Sequence, residues 1–259
     1  MKMIPLVMLF NLLVTPLGAL AEDALVVAPQ AYKLQSENEW VKVVRVRYAP
    51  HERIAAHDHN PTAAAYVYLN DGGPVVFNHL DKEYGAVTRA ATKAGSFRIY
   101  FGIQELHEVV NTSPLPSEFL RVEFKTEPKN EMSLKGRFFR EPNPEGVNVE
   151  KIHFDNEQVR ITRLIGVAGK PLTVATKAGE PALLVALVDL DLIARRGEGA
   201  RSPLKIALGH TEWVGANESV ALENAGGQPA EMLRFDFKTR PLTPEELKQK
   251  TKKHEHGAK

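Results

Sequence analysis

The chain contains no cysteine, so no disulfide staples it and no lipid can be attached at a cysteine. Charge imbalance is also missing. Its 33 Lys and Arg against 32 Asp and Glu give a net charge of +1, which removes any electrostatic case for nucleic acid or an anionic membrane as partner. Tryptophan is scarce: Trp40 and Trp213 stand singly on predicted strands and read as core residues rather than a sugar-stacking platform. Beyond the N-terminus no apolar run is long enough to suggest a transmembrane segment. A Ser-His-Asp hydrolase pattern, a phosphate loop and a dinucleotide fingerprint are all absent. What remains is a chain of 259 residues, 43% hydrophobic and 25% charged, with ordinary globular composition and room for one or two domains.

The N-terminus differs in kind. Lys2 supplies a positive start, residues 4–14 a short apolar run, and Pro16 and Gly18 a break. Ala19-Leu20-Ala21 then fits a small-x-small cleavage site before Glu22-Asp23. This pattern predicts a signal peptide over residues 1–21 and a periplasmic or secreted protein with no membrane insertion after cleavage. An exported protein without disulfides must rely on its own cores, which suits double-sheet barrels.

Self-similarity sets the domain count. Residues 38–46 (NEWVKVVRV) align with residues 156–164 (NEQVRITRL) at a shift of 118. Residues 118–126 (EFLRVEFKT) align with 231–239 (EMLRFDFKT) at a shift of 113, and Pro128 and Pro241 follow the two copies. Two matches in the same order at nearly the same shift make the chain a duplication. Each copy reads as strands: Leu120, Val122 and Phe124, for example, alternate with Arg121, Glu123 and Lys125. Gly and Pro clusters such as Asp71-Gly72-Gly73-Pro74 separate the runs, so an all-β sandwich or barrel is predicted for each half. The first barrel is expected over residues 28–127, a linker over 128–146 with Phe138-Phe139 packed on one barrel, and the second barrel over 147–240. Residues 241–259 form a tail. There Thr243-Pro244-Glu245-Glu246 reads as a capping box opening a short helix to about Lys250, followed by a disordered end carrying His254 and His256.

Two stretches carry chemistry. In Ala56-His57-Asp58-His59 the two histidines share a face if the segment is a strand, so their imidazoles can converge on one ion. His107 arrives from a later strand, with Asn111 four residues on. His-x-His followed by His-x-x-x-Asn resembles the two motifs of the cupin superfamily. In that family a Glu ligand follows the second His of the first motif, but this sequence has Thr62-Ala63-Ala64-Ala65 there. The resemblance implies a bicupin, two jelly-roll barrels in tandem with a short C-terminal helix, and a three-histidine metal site in the first barrel. The second copy places Ala175, Lys177 and Val220 where the alignment has His57, His59 and His107, so it resembles a degenerate barrel without metal.

Three neutral imidazoles suit one divalent transition metal (Fe, Mn, Cu, Ni or Zn) with open positions for ligands. Glu105 lies two residues before His107 and faces with it if the strand is regular; the other reading is a solvated carboxylate at the strand entrance. Tyr66 and Tyr68 point inward with Ala64 if Ala64 takes the vacated Glu position; otherwise Val67 and Leu69 do. In the first case both tyrosines are candidates to touch a small-molecule ligand; for either pair the other reading is plain core packing. Asn111 is expected to fix a turn, and His51 to sit in a loop. All-histidine members of the superfamily imply a metal-dependent dioxygenase or isomerase acting on a small organic molecule. The alternative is a non-catalytic exported cupin that binds a small molecule or serves the cell envelope. Edge-strand pairing between barrels makes a homodimer a further expectation from the resemblance, unless the two fused barrels already meet that need.

Overall fold

The computed structural model describes residues 22–59, 61–103 and 105–256, with 251–256 as helix backbone alone. The signal peptide expected over residues 1–21 lies outside them. A one-turn helix α1 (Ala24–Val27), capped by Asp23, opens the first half. It leads into β1 (Tyr32–Glu37), β2 (Val41–Tyr48), β3 (Arg53–His59), β4 (Ala64–Tyr68) and β5 (Val75–His79). Then come β6 (Ala86–Arg89), β7 (Phe97–Tyr100), β8 (Glu105–Asn111), β9 (Ser117–Phe124) and β10 (Lys135–Phe138). The second half holds β11 (Val149–Asp155), β12 (Val159–Gly166), β13 (Pro171–Ala175), β14 (Ala182–Ala186) and β15 (Leu190–Arg196). β16 (Ser202–Ile206), β17 (Thr211–Val214), β18 (Ser219–Asn224) and β19 (Ala230–Phe237) complete it, and helix α2 (Pro244–His256) ends the chain.

Each half is a two-sheet barrel, and the sheet orders repeat. The first half pairs β1-β2-β9-β4-β7-β10 with β3-β8-β5-β6; the second pairs β11-β12-β19-β14-β17 with β13-β18-β15-β16. The period-two alternation of the sequence explains how the larger sheets are used. On β2, Val44, Val46 and Tyr48 enter the first barrel, while Val41 and Val43 leave it on the opposite face. On β4 the outward set is Ala65 and Val67, and on β9 it is Leu120, Val122 and Phe124. These meet Val159, Ile161, Leu183, Val185, Leu233, Phe235 and Phe237 from the second half in one continuous core. The two barrels therefore share a wall. Burying each such side chain contributes roughly 1.5–3 kcal/mol, so the shared wall is a large part of what holds the halves together. Trp40 and Trp213 both pack on Phe237 at this wall, with ring centroids 6.4 and 6.0 Å away, as core residues.

Both barrels repeat two polar devices. Asn38 accepts from the backbone of Trp40 and Val41, and Asn156 from that of Gln158 and Val159. Buried Asn111 donates to the carbonyls of Ala49 and Leu115 and accepts from Ser113 N; Asn224 does the same with Gly166, Gln228 and Gly226. Asn111 fixes a turn, and its counterpart does so where no histidines are present. His51 sits in a turn with φ 57°, as a loop residue.

Residues 128–146 are more structured than a linker. They form a 3-10 turn (Glu131–Ser133) and β10, which adds a strand beside β7. Phe138 stacks on Phe97 at 4.6 Å, while Phe139 stays exposed. Past β10, Arg140 pairs with buried Glu231, which also holds Arg163, and Arg163 reaches back to the Glu141 carbonyl and Asn143. This segment is thus clamped to both barrels. The capping box forms as read, with Glu246 N donating to Thr243 Oγ1 at 3.2 Å and Thr243 N to Glu246 Oε2 at 2.8 Å. The helix then continues to His256 instead of ending near Lys250.

Candidate metal centre

The first barrel's smaller sheet builds the site. β8 lies between β3 and β5, and the register places His57, His107 and His79 side by side across the three strands. One row on, His59 faces Glu105. Potential ligand atoms of His57, His59 and His107 all lie within 4.8 Å of one another, and so do those of His79, Glu105 and His107. The predicted triad comes together. His79, which the sequence motifs do not include, joins it through the β5–β8 pairing.

His57 and His107 are buried, and each has a distinct hydrogen-bond state. His57 Nδ1–H donates to the Ala55 carbonyl at 2.8 Å, which fixes its tautomer because a carbonyl only accepts. Its Nε2 then accepts from Tyr32 OH at 3.0 Å, and Tyr32 in turn accepts from Tyr48 OH at 2.7 Å. His107 is different. Both of its ring nitrogens are buried without a hydrogen-bond partner, as is Nδ1 of His79. Buried unsatisfied polar atoms are costly and uncommon, so three of them facing one cluster call for a ligand. A divalent ion takes one lone-pair nitrogen from each neutral imidazole, so it would complete one nitrogen of His107, with Glu105 3.6 Å from Nδ1 on the same ring.

The electrostatics favour the neutral form of His57, His59 and His107. Burial first, then His57, His79 and Arg121, holds the His107 pKa down at about 2. Burial likewise lowers His57, despite its bond to Ala55, and lowers His59 well below the usual value with help from Arg121 and His107. Neutral histidine is the metal-binding form. Glu105 Oε2 lies 3.6 Å from His107 Nδ1. Its carboxyl is largely withdrawn from water, and burial raises its pKa against the pull of His79, Arg121 and Arg98. Glu105 is thus turned into the site and is not a solvated carboxylate at its edge.

Tyr66 and Tyr68 line the same cavity as His59, His107 and Glu105. Val67 and Leu69 face the shared wall instead, which decides between the two registers left open by the sequence. Sequence reasoning missed Tyr32, Tyr48, Arg89, Arg98 and Arg121, which also line the cavity. A period-two reading from Val75 through Phe77 would have put His79 on the inner face; the arginines carried no local signal, because only strand pairing brings them here.

The second barrel corrects the residue-by-residue alignment. β3 pairs with β8 through a bulge between Ile54 and His57, whereas β13 pairs with β18 without one. The extra residue changes the offset. His57 opposes His107, and the matching pair is Val174 with Val220, so His57 corresponds to Val174 and not Ala175. His59 likewise corresponds to Thr176 rather than Lys177. Val174 and Val220 are both buried in the second barrel's apolar core.

Comparison with protein-family models and with curated proteins gives no match. Solved structures do match. A cupin 2 conserved barrel domain protein from Leptotrichia buccalis shares 15% identity at TM-score 0.50, over 80% of this chain and 88% of that one. The pirin YhhW of Escherichia coli, in complex with nickel(II), shares 13% at TM-score 0.53, over 78% and 82%. Oxalate decarboxylase of Lactobacillus farciminis, in a formate complex, shares 13% at TM-score 0.52, over 82% and 81%. Repeated sheet order, shared wall and these likenesses together make the chain a cupin-fold protein, with two barrels of that fold in tandem.

Proposed function

We propose that the first barrel holds one divalent transition metal on His57, His59 and His107, and that the protein is an exported metal-dependent dioxygenase or isomerase acting on a small organic molecule. The observation that carries this reading is His107, whose two ring nitrogens are buried and unbonded among neutral imidazoles. Among the structural neighbours, the pirin is seen with nickel(II) and the decarboxylase with formate, which supports a metal and a small ligand in such a barrel. With three neutral ligands the ion would keep its full charge and open positions, and so supply Lewis-acid chemistry.

The chain's own groups do the rest. Tyr66 and Tyr68 wall the cavity and orient what enters it. Glu105, whose pKa burial raises, holds a proton more readily than an exposed carboxylate and can deliver or accept it within the cavity. Phe77 and Phe119 limit water beside the histidines.

Elemental analysis tests the reading, with the chain cut after Lys250 to remove His254 and His256. One equivalent of metal in the wild type and none in His57→Ala or His107→Ala is expected. Undiminished metal in His107→Ala would sink it. Oxygen uptake by iron-loaded protein with a panel of small acids and phenolics separates a catalyst from a binding protein. Intact mass of the exported form should begin at Glu22.

A further inference from the structure

Three arginines from different strands converge on the cavity beside the histidines: Arg89 on β6, Arg98 on β7 and Arg121 on β9. In each, Nε is buried and makes no hydrogen bond among the described residues. Arg121 Nε does lie 3.0 Å from Glu123 Oε1, but out of line for a hydrogen bond. Aromatic rings hold two of the guanidinium faces. Arg98 stacks over Tyr66 with its central carbon 3.8 Å from the ring centroid, and Arg89 lies over Phe77 at 4.5 Å. Stacking occupies the face of a guanidinium and turns its edge toward the cavity, which is the geometry that grips a carboxylate; on Arg98 that edge also meets the Tyr68 hydroxyl, which a bound carboxylate would share.

Charge points the same way. Glu105 in the cavity and Glu123 beside it face these three cations, and the nearby Asp23 is paired with Lys42, so at least one positive charge is left over before any metal is added. Such an excess in a partly dehydrated cavity favours an anion. Val75, Phe77 and Phe119 give the wall an apolar patch beside the histidines, next to the tyrosine rings.

The second barrel shows that these arginines are not scaffold. Strand register pairs Tyr66 with Arg98 in the first barrel and Leu184 with Glu212 in the second. Val75 opposes Arg89, while Leu192 opposes Leu204. Arg121 corresponds to Arg234, whose Nε donates to Asp236 at 2.7 Å and whose Nη2 donates to the Ala175 carbonyl at 2.6 Å. Where the histidines are gone, two of the three arginines are gone and the third is satisfied by protein.

We infer that the cavity takes a small organic carboxylate with an apolar or aromatic body, its carboxylate held by Arg98 with Arg89 and Arg121, and its body against Phe77 and Phe119 beside His59 and His107. This rests on the reading that the same cavity receives the substrate, and it names the substrate class.

Calorimetric titration decides it, using propionate and benzoate against propionamide and benzamide, which keep shape but lose charge. Metal-stripped and zinc-loaded protein are both titrated. Each acid should bind, with affinity about tenfold or more above its amide, because a charged pair is exchanged for a neutral one. Arg98→Gln should remove most of that preference, Arg89→Gln part of it, and Arg98→Lys should restore some of it, all with unchanged metal content and melting temperature. Failure of both acids to bind, equal binding of acid and amide, or full acid preference in folded Arg98→Gln would overturn the inference. So would an acid preference that appears only with zinc and ignores Arg98. Acid binding in a protein that takes up no metal would leave this inference standing and remove the metal reading alone.

Discussion

The two barrels share a strand order, a wall and a buried turn asparagine, yet one interior is polar and the other apolar. In the first, His57 and His107 stand with Tyr66, Tyr68, Phe77 and Phe119; at the matching register the second has Val174, Val220, Leu184, Ala186, Ala194 and Met232, while Arg98 gives way to Glu212 and Arg121 alone keeps its type, as Arg234. Asn224 repeats the three shortest hydrogen bonds of Asn111 in a barrel without the histidines, so the turn and the fold do not need the polar interior. The first barrel carries buried, unsatisfied groups that its twin shows to be dispensable for folding. Such groups are retained where a ligand completes them.

The sharpest way to break the comparison is to convert one interior toward the other. Replacing His107 with Val copies Val220 and should take metal content from one equivalent to none, while the barrel stays folded. The reverse change, Val220→His, should bring no metal, since Val174 and Thr176 supply no ligand beside it. Metal analysis with circular dichroism reads both. A second equivalent of metal in Val220→His would show the second barrel to be less degenerate than its register implies.

The shared wall tests whether the barrels are separate at all. Phe235 is fully buried in the core that spans both halves. Phe235→Ala should cost about 3–5 kcal/mol, as large-to-small changes at such sites do, and should lower one common melting transition. Two transitions, with only the second barrel weakened, would mean that the wall does not couple them.

Much of this was legible in the chain. Alternation along residues 41–48 and 118–126, together with the repeat, revealed strands and duplication, and the spacing of His57, His59 and His107 revealed the triad. The rest depends on register, which alternation alone does not set. A single bulged residue before His57 moved the second barrel's counterparts by one position, from Ala175 to Val174. The same limit hid Arg89, Arg98 and Arg121, each of which reads locally as an exposed strand charge. The shared wall was equally hidden: β2 carries apolar residues on both faces, and on β9 it is the apolar face of Leu120, Val122 and Phe124 that turns outward to the other barrel while Arg121 turns inward, the reverse of what alternation alone suggests.

Acid should separate the interiors further. Burial lowers the pKa of His57, His59 and His107, the last to about 2, so in the metal-free fold they stay neutral. In the unfolded chain they protonate near pH 6.5. Below that pH the unfolded state binds protons that the folded state does not, so metal-free stability is complete above about 6.5 and falls as pH drops toward the folded values. His107→Val removes one such group and should flatten the decline measured by thermal melts between pH 7 and pH 4. An identical slope in wild type and variant would show that His107 is protonated in the fold.

The smallest expected effect concerns Tyr32. His57 has one free lone pair, on Nε2, because its Nδ1 proton is committed to Ala55. That lone pair now accepts from Tyr32, which is itself supported by Tyr48. A metal must take the same lone pair, so Tyr32 has to release His57 when the ion binds. Tyr32→Phe removes the competing donor while keeping the ring that packs edge-on against His57 at 5.1 Å. Losing one net hydrogen bond from the metal-free state is worth about 0.5–1.5 kcal/mol, so metal affinity should rise by roughly 2- to 10-fold. The second barrel offers no such competition, which makes this a property of the polar interior alone. Competition titration with a chelator of known affinity measures it. A weaker site in Tyr32→Phe would give Tyr32 the opposite role, that of a group which stays hydrogen-bonded beside the bound ion and helps to hold it.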